Sequence, residues 1–132
     1  MQTDSVQNVS VVEQLQNGFA AHIRARAEHL AEDYLVKNPQ EVGGFIGENF
    51  FLLDILEEIP RQISKYFGSD QRLVLKVSYQ PDYPDSAELW VDILTELSAN
   101  EALPLLDKFD EEWWLENLDK TDCKLNINLK FV

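Results

Sequence analysis

Apolar side chains recur every three or four residues through the first half of this chain and every second residue through much of the rest. Val12, Leu15, Phe19, Ile23, Ala27, Leu30 and Tyr34 draw one stripe, the spacing of a helix that buries a single face. The stripe predicts a first helix from about Val9 to Lys37, roughly 40 Å long at 1.5 Å per residue. It is expected to stop at Asn38-Pro39, because the residue before proline disfavours helical backbone, and its first turns are expected to project from the domain. Residues 1–8 are expected to form a flexible tail. After a flexible break at Val42-Gly43-Gly44, a second helix is predicted from Phe45 to Phe67. Its stripe of Ile46, Phe50, Leu53, Leu56, Ile59, Ile63 and Phe67 is widened by Phe51, Leu52 and Ile55, so it is expected to be buried on more than one side. Pro60 removes a backbone donor and predicts a kink or a division. Gly68 is placed to adopt the left-handed conformation past the helix end.

Beyond Gly68 the period becomes two. Arg72 to Tyr79 reads as a strand with Leu73, Leu75, Val77 and Tyr79 on one face. Glu88 to Thr95 reads as a second, with Leu89, Val91 and Ile93 inward, after the turn-rich Gln80–Asp85. Ser98-Ala99-Asn100-Glu101 matches a capping box ahead of a third helix carrying Ala102, Leu105, Leu106, Phe109 and Trp113. From Lys124 to Val132, Leu125, Ile127, Leu129 and Phe131 alternate with polar residues. The expected fold class is α+β, in the order α-α-β-β-α-β. A long first helix, a Pro-kinked second helix and a third helix pack on one face of a three-stranded, mainly antiparallel sheet, as one domain over residues 1–132. Of two strand orders, the expected one places the last strand beside the first, whose Leu73-Val74-Leu75 run is the most apolar. The outer face, with Lys76, Glu88, Asp92, Asn126, Asn128 and Lys130, is expected to be largely wet.

Composition narrows the function. The 132 residues hold 24 acidic and 11 basic side chains, a net charge of −13. Such a chain is repelled by nucleic acid and by anionic membrane surfaces, so neither is an expected partner. Cys123 is the single cysteine, which rules out an intramolecular disulfide and fits a reducing compartment. The N-terminus has no secretory pattern, no apolar run approaches the roughly 20 residues of a membrane span, and a cytoplasmic location is expected.

The run with Pro60, then Lys65-Tyr66-Phe67-Gly68, two strands around a Pro/Asp loop, and Leu105-Leu106-Asp107-Lys108-Phe109-Asp110-Glu111-Glu112-Trp113-Trp114 resembles a family of small acidic cyanobacterial proteins. The element Phe-Asp-Glu-Glu-Trp-Trp is its most specific part, and the resemblance covers the C-terminal part from about Leu52 onward. It implies a bacterial cytosolic setting, and it transfers no activity and no catalytic residue.

No catalytic, cofactor-binding or metal-ligating residue is expected. His22 and His29 lie two helical turns apart, roughly 10 Å, too far for one ion without other ligands. His22, Arg24, Arg26 and His29 form the one basic cluster, readable as a self-association site or, with Arg24 paired to Glu28, as a solvated helix face. Asp110, Glu111 and Glu112 fan around a helix. Asp82 and Asp85 lack the ligand ladder of a calcium loop. Asp122 and Lys124 flank Cys123 with opposing effects on its thiol. The aromatic residues point further. Trp90, with Val74 and Leu94, forms an apolar island on the outer sheet face, and Trp114 stands beside Trp113 on the third helix; tryptophans so placed serve as interface anchors. The expected function is a non-enzymatic protein-interaction module that binds itself as a homo-oligomer, or neutralises a basic protein, through exposed aromatics framed by acids. The rival is a small metal-dependent hydrolase using scattered carboxylates.

Overall fold

A computed structural model describes residues 18–132 apart from Pro81; the expected tail and the expected first turns of the first helix lie outside the described residues. Helix α1 covers residues 18–29 and ends well before Lys37. A 3-10 turn at Leu30–Glu32 and a short strand β1, Leu35–Val36, replace its predicted last turns. Leu30 and Tyr34 are buried as their spacing implies, but from a turn and a bend. Helix α2 is Pro39–Glu48. Proline at its first turn costs no hydrogen bond, so Pro39 opens a helix, and Gly43-Gly44 lie inside it rather than forming a break.

The expected helix from Phe45 to Phe67 is two helices, divided at Asn49 and not at Pro60. Asn49 leaves the helical region (φ −135°, ψ 49°), and its Nδ2 donates to the Phe45 carbonyl at 2.9 Å. After a 3-10 turn at Phe50–Leu52, helix α3 runs through Pro60 from Leu53 to Phe67. Proline leaves the carbonyl four residues earlier without its helical donor. That carbonyl belongs to Leu56, and it accepts a 2.7 Å hydrogen bond from the buried Tyr34 hydroxyl. An orphaned acceptor and a buried donor therefore satisfy each other. Burial, with the nearby Asp33 carboxylate, pushes the Tyr34 hydroxyl pKa well up. Gly68 ends α3 at the expected place, with positive φ (89°) but an extended ψ of 168° in place of the left-handed helical conformation.

The chain is α+β, but among the described residues its sheet has four strands, ordered β1-β2-β3-β4, with β2 at Arg72–Gln80, β3 at Tyr83–Thr95 and β4 at Leu125–Phe131. Only β2 and β3 are antiparallel; β1 is parallel to β2, and β4 to β3. The last strand therefore lies beside β3, not β2. The far edge of β2 is taken by β1, which pairs Leu35 with Val74 and Val36 with Leu75. A helical crossover returns the chain from β3 to a parallel neighbour, the usual route for such a pair. Register aligns Leu75 with Val91 and Leu89 with Leu125, and Leu73, Leu89 and Leu125 are buried in one core with α2, α3 and the third predicted helix.

That helix, α4, is Ala99–Phe109. Its capping box is complete: the Glu101 amide donates to Ser98 Oγ at 3.3 Å, and the Ser98 amide donates to Glu101 Oε1 at 3.2 Å. Pro104 sits within it without delaying its start. A π turn, Asp110–Trp114, and a short helix α5, Leu115–Asn117, continue it.

Candidate functional site: a groove between two helices

Between α1 and α2 lies an open groove of about 800 Å³, within the roughly 300–1,000 Å³ of small-molecule pockets. Its floor is the buried Leu75, Val42 and Ile46, with the half-buried Val36 beside them. Its walls are small side chains, Ala20 and Ala27 on α1 and Ala31 on the 3-10 turn after it, with Gly43 and Gly47 on α2. Phe19 and Phe50 close one end edge to face, with ring centroids 5.3 Å apart.

Two of the lining residues are helix glycines. Among the described residues a Cβ on Gly43 or on Gly47 would meet nothing within 4 Å, yet glycine inside a helix costs about 1 kcal/mol relative to alanine. Packing among the described residues does not require them. Wall α1 is held in place by Arg26, whose guanidinium bridges two carboxylates of α3, Asp54 at 2.7 Å and Glu57. Ile23 and Ala27 pack beneath it against the core.

The polar side chains lining the groove are Arg24, Glu28 and Gln40. Arg24 and Glu28 have the spacing of a helical ion pair, but no such contact forms, and Arg24 has no carboxylate within 4 Å among the described residues. The predicted basic cluster is thus divided. Arg26 is held by α3, His29 Nδ1 lies 3.4 Å from Glu32, His22 is exposed, and Arg24 is left at the groove.

Of the sequence-predicted partner residues, three lie together and Trp114 lies apart from them. Val74, Trp90 and Leu94 share the outer sheet face and are half-buried there. Trp114 is only 6% exposed and belongs to the core, so it offers no anchor to a partner. In an α-helix the fifth residue on points roughly 140° away; the extra residue of the π turn swings Trp114 back over Phe109, with ring planes 15° apart and centroids at 6.5 Å. Nor is the outer face uniformly wet. Asp92 is 3% exposed and paired with Lys76 at 2.9 Å, and Asn126 donates to Glu88 at 2.7 Å. With Arg72, Lys76 and Lys130 against Glu88 and Asp92, acids do not frame Trp90. Exposed aromatics beside exposed acids occur instead at the β2–β3 turn, where Tyr79 and Tyr83 stand with Asp82 and Asp85.

Other acidic side chains are engaged within the fold. Glu112 accepts from the Tyr66 hydroxyl at 2.5 Å, which raises that hydroxyl's pKa. Partial burial, then the neighbouring Asp107, raises the Asp110 carboxyl. Among the described residues no three His, Cys, Asp or Glu side chains are grouped to hold a metal ion, and no helix is long and apolar enough to cross a membrane. The groove was missed in the sequence because Gly43-Gly44 read as a break; the detectable signal was the matched spacing of small residues at 20, 27 and 31 and at 43 and 47. Comparison with protein-family models, with curated proteins and with solved structures finds no match to this chain.

Proposed function

We propose that this chain is a non-enzymatic binding protein of the cytoplasm that takes an apolar ligand in the α1–α2 groove. The observation that carries this is the combination of an apolar floor with two helix glycines whose faces open on empty space. Apolar surface gains by leaving water, and the glycines leave room for atoms that the described residues do not supply. A cytoplasmic setting is favoured by the exposed Cys123 thiol, which a reducing compartment preserves.

Titration with an uncharged solvatochromic dye such as Nile red tests it. Saturable one-to-one enhancement is expected, and Gly47→Leu is expected to abolish it while raising Tm, because leucine fills the groove and is the better helix former. Equal enhancement in the variant would contradict the proposal.

A second reading keeps the outer sheet face as a contact for a protein partner or a second copy. It is favoured by Leu35, 56% exposed, which extends the row of Val74 across the register and enlarges the apolar island around Trp90 and Leu94.

A further inference from the structure

The groove wall carries one cation and one anion that ignore each other. Arg24 and Glu28 both line it, one helical turn apart, at a spacing of about 5–6 Å between their Cβ atoms. Neither pairs with the other, although an ion pair at this spacing is ordinary on a helix. The segment enclosing the groove, residues 18–47, has three basic and four acidic side chains, in a chain of net charge −13. A purely anionic head would meet Glu28 and the acidic field of the whole molecule; a purely cationic head would meet Arg24. A head carrying both charges meets a complement to each.

We infer that the groove takes a single-chain amphiphile with a compact zwitterionic head, an inference that rests on the groove being a binding site. The anionic group sits on Arg24, the cationic group on Glu28, and the chain lies along Ala27, Gly43 and Gly47 over Val36 and Leu75. The head contacts are solvent-facing, so each contributes a few-fold in affinity and the two together about tenfold. The apolar trough supplies the rest.

The test is calorimetric titration of the full chain with four decyl amphiphiles below their micellar concentrations: the betaine N-decyl-N,N-dimethylglycine, decanoate, decyltrimethylammonium and decanol. The betaine is expected to bind one-to-one and about tenfold tighter than decanol. Arg24→Gln and Glu28→Gln are each expected to weaken the betaine a few-fold and leave decanol unchanged. Gly47→Leu, with Gly43→Leu as an independent second block, is expected to remove both. If decanol binds as tightly as the betaine, the head-group assignment fails and the groove stands. If decanoate or decyltrimethylammonium matches the betaine, the pairing of both charges fails. If none of the four binds, the groove fails as a site and the head-group assignment with it.

Discussion

Tyr34 and Pro60 answer each other's defect. A proline inside a helix would ordinarily strand the Leu56 carbonyl, and a buried tyrosine would ordinarily lack an acceptor for its hydroxyl; their 2.7 Å contact removes both problems. Tyr34→Phe is therefore expected to destabilise the chain by about 1–3 kcal/mol, the cost of a buried acceptor left without a donor. Pro60→Ala restores an amide for that carbonyl, so Tyr34→Phe should cost much less in the Pro60→Ala background. Urea denaturation of the two single variants and the double variant measures the coupling, and additive effects would contradict it. Nothing in the sequence announces this pair, because the bond spans 22 residues. The capping box at Ser98–Glu101 was readable because its partners lie three residues apart and depend only on local backbone.

Elements were legible where a pattern had length to establish its period. The inward rows of β2, β3 and β4 and the stripe of α3 needed no structure to be seen. Strand β1, with two residues, is too short to show alternation, and missing it led to the wrong neighbour for β4. Helix α2 was hidden by its glycines, and the groove was hidden with it. The π turn concealed the fate of Trp114, since a regular helix was assumed through Asp110–Trp114. Asp110 opens that turn, and its raised carboxyl gives a pH signature. A carboxyl whose folded pKa exceeds its ordinary 3.8 favours the folded state most below that value, and the benefit is lost as pH rises through the folded value. At neutral pH the half-buried carboxylate is a cost. Asp110→Asn is accordingly expected to raise Tm at pH 7 and to match the parent chain near about pH 3. A larger gain in acid than at neutrality would reverse the sign and refute the assignment.

At the scale of the whole molecule, the described residues present two apolar surfaces proposed as binding sites: the α1–α2 groove and the outer face of the sheet. They differ in what surrounds them. The groove is concave and reaches the core, whereas the sheet face is crossed by the Lys76–Asp92 pair, whose burial beneath a partner would carry a desolvation cost. If the sheet face joins copies of the chain, Trp90→Ala should shift light-scattering mass toward the monomer at high protein concentration; an unchanged monomer mass for both proteins would leave that face without a self-contact. The most direct measurement is a titration of the ¹⁵N-labelled chain with decanol, followed by amide chemical shifts. Saturable shifts concentrated at Ala20, Ala27, Val36, Gly43 and Gly47, with the Trp90 indole signal unmoved, are the result expected of a ligand seated between α1 and α2. Shifts centred on Val74, Trp90 and Leu94, or spread without saturation, would contradict it.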